Sequence, residues 1–170
     1  GSGKTTAAKA IYNKIHHSFQ FKCFLANVRD ITSQHDPPYL QQKFVSDILR
    51  HDKSQIISSV DARIPVIKHH LQRRRILVII DNVDKVEQLN AIVGNCDWFG
   101  PGSIIIITTR DEHLLYQQKV NMRYPARLMN KEEALEPFSW HTFDNSCPNG
   151  EYLELSKKVV SYCGGLPLAL

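Results

Sequence analysis

The chain has 170 residues, of which 42% are hydrophobic and 22% charged, with Gly and Pro at 8 each; this composition fits one globular domain, or one domain and the start of a second, and excludes disordered, collagen-like and low-complexity classes. Its longest apolar runs, Ile76–Ile80 and Ile104–Ile107, fall far short of the roughly 20 residues that span a bilayer. The formal charge of +4 would suit a polyanion, but the only dense basic cluster, Lys68-His69-His70 with Arg73-Arg74-Arg75, directly precedes an apolar run, where cations at a helix C-terminus stay solvated.

In chain order, the opening residues Gly1-Ser2-Gly3-Lys4-Thr5-Thr6 match the end of the phosphate-binding pattern G-x-x-x-x-G-K-[S/T]. Small residues there let backbone N–H groups close around phosphate oxygens at a helix N-terminus, whose dipole favours anions. Lys4 is expected to reach the β- and γ-phosphates and the Thr5 hydroxyl to ligate Mg²⁺, with a helix over Thr5–Ile15. The first Gly of the pattern and the strand feeding it would lie before residue 1, so the chain reads as a segment of a longer protein. That strand is expected at the centre of the sheet.

Next come an apolar strand over Phe24–Val28, a helix over Leu40–Arg50 with Phe44, Ile48 and Leu49 on one side, and a helical stretch around Ile64–Leu71. The run Ile76–Ile80 ends in Asp81 and has the form of a Walker B strand, which places a carboxylate for Mg²⁺ at the C-terminal edge of the sheet. The plain alternative is a strand whose terminal Asp caps the next turn. Asn82 follows, where many hydrolysing relatives of this architecture carry a second acid; an amide can orient water but cannot take its proton. A helix over Val86–Val93 ends at Gly94, and Trp98 and Phe99 read as a hydrophobic plug beneath Gly100-Pro101-Gly102.

A third strand, Ile104–Thr108, leads to Thr109-Arg110. Arg110 can bond a γ- or β-phosphate with charge-assisted strength of about 1.5–3 kcal/mol, or form a surface salt bridge with Asp111 or Glu112. A weaker strand covers Met122–Leu128. Helices alone follow: Lys131–Phe143, entered through an Asn130/Glu133 capping box with Trp140 and Phe143 on one core face, and Glu151–Cys163, closed by Gly164-Gly165. Strands without alternation, separated by helices, predict a parallel sheet buried on both faces, with a boundary near residue 120–130. Cys23, Cys96, Cys147 and Cys163 lack zinc spacing and read as reduced thiols. His16-His17 and His69-His70 lack metal spacing too, since i, i+1 side chains diverge on a helix.

Gly3-Lys4-Thr5-Thr6, Phe24–Asp30 (FLANVRD), Leu77–Asp84 (LVIIDNVD), Gly102–Leu115, Glu133–Phe143 and Gly165–Leu170 (GLPLAL) stand in the order and spacing of one family. Over essentially its whole length the chain resembles the NB-ARC nucleotide-binding domain of plant nucleotide-binding, leucine-rich-repeat disease-resistance proteins. Asp84 and the FLANVRD segment look like the class with an N-terminal Toll/interleukin-receptor domain.

The resemblance implies an α/β fold: a P-loop NTPase parallel sheet of the STAND/NB-ARC type over residues 1–125, then the first part of a helical ARC subdomain over 126–170. It implies an ADP/ATP-binding switch of an intracellular immune receptor, at most a slow ATPase, in the cytoplasm with the nucleus as a second compartment. By the same resemblance Gly1, Ser2, Gly3, Lys4, Thr5 and Thr6 bind phosphate, and Thr5 and Asp81 serve Mg²⁺. Asp81 and Asn82 serve hydrolysis, Arg110 is the sensor, and Pro167 packs near the base and ribose. The implied partners are Toll-like and leucine-rich-repeat domains outside these residues and further copies of the full receptor; neither membrane nor nucleic acid is expected.

Three positions depart from the family pattern. Asn82 replaces a frequent second Asp, Ile104 stands where Arg usually follows Gly-Ser, and Pro137 replaces a usual Leu inside a helix. Proline there removes a helical bond at about 3 kcal/mol and predicts a kink. Two other functions compete. A P-loop kinase would need an arginine-rich lid and an acceptor site, which the segment from Lys131 onward does not offer. A nucleic-acid binder would use the cluster at 68–75 and show a steep salt dependence.

Overall fold

A computed structural model of the chain describes residues 2–49, 71–72, 74–94 and 99–169. The helical stretch expected from Ile64, the basic residues Lys68, His69, His70 and Arg73, and also Cys96 and Trp98, lie outside the described residues. The chain divides into two compact units, Ala7–Arg123 and Gly1–Thr6 with Tyr124–Leu170.

In the unit Ala7–Arg123, strands β1 (Phe21–Leu25), β2 (Ile76–Val83) and β3 (Ile104–Thr109) form a parallel sheet in the order β1-β2-β3. β2 is fully buried from Ile76 to Ile80, and both of its edges are paired: Phe21 with Ile76 and Leu25 with Ile80 on one side, Leu77 with Ile104 and Ile80 with Ile107 on the other. An uninterrupted aliphatic run suits that position because both faces are covered. Each such side chain contributes about 1.5–3 kcal/mol of burial. Helices α3 (Pro37–Leu49) and α4 (Val86–Val93) cover the face bearing Cys23, Val78 and Ile80 with Leu40, Phe44, Ile48, Leu89 and Ile92. On the opposite face, Tyr12 of α1 (Lys4–Ile15) meets Phe24 edge-on, ring centroids 5.6 Å apart.

The structure corrects several expectations in this unit. The first strand covers Phe21–Leu25, not Phe24–Val28: Asn27 turns the chain at φ 51° and Val28 opens helix α2 (Val28–Gln34). Burial along β1 alternates, because Phe21, Cys23 and Leu25 face the core while Lys22 and Phe24 point to the less covered opposite face. Among the described strands β2 lies in the middle, with β3 supplying the bonds of its second edge. The His16 and His17 rings lie 3.7 Å apart instead of diverging, because His16–Ser18 form a 3₁₀ turn. Phe99 packs on the core as a plug should, and a short helix α5 (Glu112–Gln117) follows β3.

The unit of Gly1–Thr6 with Tyr124–Leu170 contains helices α6 (Lys131–Phe143) and α7 (Leu153–Tyr162). The weak strand expected over Met122–Leu128 does not form; Met122, Tyr124 and Leu128 are exposed, so no burial rewards their extension into a ladder. α6 begins at the expected capping box: the Glu133 N–H donates to Asn130 Oδ1 at 2.8 Å, and the Asn130 N–H donates to Glu133 Oε2 at 2.9 Å. The helix runs through Pro137 without a break. Trp140, expected in the core, is 52% exposed; Ala134 and Ser139 occupy the buried side instead. Phe143 packs against Phe138 and Tyr152, and a 3₁₀ turn over Gly150–Tyr152 delays α7 to Leu153.

Candidate functional site

The loop that leads into α1 turns on Gly3, whose φ of +74° lies in the left-handed region that costs glycine nothing. Lys4 is the first residue of α1, and its ammonium donates to Ser2 Oγ at 2.8 Å, which lays the charge over the loop. No acidic residue occupies the first turn of that helix, so the positive end of its dipole is left for an anion. Thr5 is half-buried and Thr6 exposed. In the same unit the Cγ of Pro167 lies 3.8 Å from where a Cβ on Gly3 would stand, which brings the GLPLAL segment against the loop. That segment is anchored by Gly165, whose carbonyl accepts from the Met129 N–H at 3.0 Å. Gly1 lies outside the described residues.

At the C-terminal end of the sheet, in the other unit, the ladder between β2 and β3 slips. Ile80 pairs with Ile107, but Val83 pairs with Thr109, so β2 carries one residue more than its partner. Such a bulge re-aims side chains at a sheet edge. Here it carries Asp81, only 3% exposed, and Asn82, at φ 60°. Thr108 ties the two together: its hydroxyl donates to Asp81 Oδ1 at 2.6 Å and accepts from the Asn82 N–H at 2.9 Å. The Asn82 amide donates to Asn27 Oδ1 at 2.7 Å, and the Asn27 amide donates to the Asp30 carboxylate. Asp81 thus sits at the strand end with its carboxylate accepting from the Thr108 hydroxyl.

The FLANVRD and LVIIDNVD segments also meet through Arg29, whose Nε lies 3.2 Å from Asp84 Oδ2. Asp84 accepts from buried Gln88 as well, and the Gln88 Oε1 accepts from the N–H groups of Asp84 and Lys85 at the entry to α4. Arg110 is exposed and pairs with neither acid considered for it. Asp111 accepts from the His113 N–H at 2.9 Å and caps α5, while Glu112 accepts from the Tyr116 hydroxyl at 3.3 Å. The two described members of the basic cluster near this unit lie against aromatic rings, Arg74 over Phe21 and Arg75 over Phe19. Cys23, Cys147 and Cys163 carry free thiols.

The donor sets present fit the groups the resemblance implies. Backbone amides at a helix start, an ammonium and hydroxyls suit a phosphate chain. Among the described residues no three His, Cys, Asp or Glu gather as a metal cage. The Asp81 carboxylate in one unit and the Thr5 hydroxyl in the other are each a hard oxygen donor of the kind that binds Mg²⁺. Reading the residues in sequence missed Asn27 and Thr108, because their partners are 55 and 27 residues away. The one signal for Thr108 was its place at the end of a strand expected beside Asp81.

Comparison with known proteins adds a family. A model described as the NB-ARC domain matches residues 1–147. Similar proteins include disease resistance protein RPV1 of Vitis rotundifolia, 43% identical over 170 residues, and disease resistance protein RUN1 of Vitis rotundifolia, 41% identical over 170 residues. TMV resistance protein N of Nicotiana glutinosa is 35% identical over 177 aligned residues. Each alignment covers 100% of this chain, which spans only 12%, 13% and 15% of those relatives' lengths.

Proposed function

The chain belongs to the NB-ARC domain family, whose members bind nucleotide, and from that premise we propose that it is the ADP/ATP-binding switch of a plant immune receptor. The observation that carries this reading is the Gly3-Lys4 turn into the acid-free start of α1, with Pro167 set against it. In this reading residues 1–125 form the nucleotide-binding subdomain and 126–170 the first part of a helical ARC subdomain. Gly1, Ser2, Gly3, Lys4, Thr5 and Thr6 hold phosphate, Pro167 flanks the base and ribose, and Arg110, exposed and unpaired with its neighbours, is the γ-phosphate sensor. Thr5 and Asp81 serve Mg²⁺, which when bound neutralises charge on phosphate oxygens.

Asn82 orients the attacking water but accepts no proton, so turnover is slow; general-base assistance of the kind it lacks is worth about 10²–10⁴ in rate. The receptor works inside the cell, and its Toll-like domain, its leucine-rich repeats and further copies of itself are the partners the nucleotide controls. The names of the disease resistance relatives support the immune role.

The test is calorimetric titration of ADP and ATP into the longest natural chain that carries this sequence, with and without Lys4→Ala. Loss of one charge-assisted contact should weaken both nucleotides by about 2–3 kcal/mol, roughly 30- to 150-fold. Lys157→Ala, at an exposed residue paired with Glu154, should leave affinity as it was. Unaltered binding in the Lys4 variant would remove the phosphate-loop reading.

A further inference from the structure

We propose that Asn27 is a positioning residue: held by Asp30, it fixes the Asn82 side-chain amide so that the Asn82 carbonyl oxygen, not its NH₂ group, is the atom offered to the attacking water. The inference rests on the reading of Asn82 as the water-orienting residue, and deepens it.

The orientation of an amide is decided by its partners. A carboxylate only accepts, so Asp30 obliges Asn27 to turn its NH₂ toward it. That leaves the Asn27 carbonyl oxygen facing Asn82, and Asn82 must answer with its own NH₂, which it does at 2.7 Å. The Asn82 oxygen is thereby directed away from Asn27 as an acceptor. Its backbone is pinned separately, by the bond from its N–H to Thr108 Oγ1 at 2.9 Å.

Both asparagines stand on left-handed backbone, Asn27 at φ 51° and Asn82 at φ 60°, a region where Asn is among the few tolerated side chains. Asn27 sits between the end of β1 and the start of α2, and its own carbonyl accepts from the Asp30 N–H at 3.0 Å. Side chain and main chain of residues 27 and 30 are therefore locked to each other, so the amide has a fixed base from which to hold residue 82 across 55 positions of sequence. The chain from Asp30 through Asn27 to Asn82 has one polarity throughout, each amide donating toward the acid.

The polarity can be kept while the residues are exchanged. In the double variant Asn27→Asp with Asp30→Asn, residue 30 donates to residue 27, and residue 27 still accepts from Asn82. Asn27→Gly removes the arm while tolerating φ 51°, and Asp30→Asn alone removes the acid that sets the direction.

The experiment uses the longest natural chain carrying this sequence, with two readouts: hydrogen exchange of the Asn82 side-chain NH₂ by NMR, and single-turnover ATP hydrolysis alongside ATP affinity. Expected in Asn27→Gly are faster exchange at Asn82 and hydrolysis slowed about tenfold or more, with ATP affinity within twofold; Asp30→Asn should behave likewise to a smaller degree. The exchanged pair should recover slow exchange and bring the rate back within about threefold. A merely structural role would instead lower affinity and rate together and would not be rescued by exchange. Unchanged Asn82 exchange in Asn27→Gly, or a folded exchanged pair no better than Asp30→Asn, would overturn the proposal. Asn82→Ala separates the two readings: if it leaves the rate as it was, Asn82 has no role in turnover and the proposal falls with that reading, whereas a slowed Asn82→Ala beside an unaffected Asn27→Gly overturns the positioning role alone.

Discussion

Gly165 shows how little freedom one residue can have. It is buried at φ +72°, and a Cβ there would stand 2.2 Å from the Met129 carbonyl oxygen, a backbone atom that cannot swing aside. Both the clash and the left-handed strain act against any side chain. Gly165→Ala should therefore destabilise by about 2 kcal/mol or more, seen as a lower urea midpoint for the native chain. Cys23 is a second case. Burial, with the Asp47 carboxylate adding to it, pushes its thiol from 9.0 up to about 12, so the folded protein keeps a proton that the unfolded chain releases. The raised value means stability is intact below pH 9.0 and is lost as the pH climbs toward about 12, by up to about 1.4 kcal/mol per unit. The slope of unfolding free energy against pH above 9.0 should flatten in Cys23→Val. Exposed Cys147 should react with thiol reagents at once, and Cys23 only on unfolding.

At the scale of elements, legibility followed how self-contained each signal was. β2 could be read because Ile76–Ile80 is an unbroken aliphatic run, and α6 because Asn130 and Glu133 form a local, reciprocal cap. That cap makes its own prediction: Asn130→Ala should cost about 1 kcal/mol, measured by urea unfolding. β1 was displaced by three residues because Lys22 interrupts its apolar pattern while Val28 extends it, although Val28 belongs to α2. Trp140 was assigned to the core because it shares a helical face with Phe143, whereas the packing of α6 chose Ala134 and Ser139. At the site, the turn at Gly3 into the helix starting at Lys4 was legible as a contiguous motif. Thr108 and Asn27 were not, since their roles arise from strand register and a bulge, neither of which has a local sequence signature.

For the molecule as a whole, nucleotide binding should register as stability. A ligand that binds only the folded state at a hundred times its dissociation constant adds about 2.7 kcal/mol. The natural chain should melt at a higher temperature with ADP present, and Lys4→Ala should lose most of that rise at the same ADP concentration. Scanning calorimetry at several ADP concentrations reads this directly; an equal rise in both proteins would place the nucleotide elsewhere.

The slip between β2 and β3 has one more consequence, best seen as a shift of phase. Along β2 the even-numbered residues Ile76, Val78 and Ile80 face the α3 and α4 core, and a regular strand would send every odd-numbered residue to the other side. Val83 nevertheless joins the same core, because the extra residue has reversed the alternation. A chain lacking Asn82 would read Ile80, Asp81, Val83 in ordinary alternation and keep every core side chain of β2 where it is. The sheet could close without that residue, so the inserted position serves the edge and not the interior: folding specifies the strand, and the added half-period is what sends the Asn82 side chain to Asn27 while Asp81 stays with Thr108.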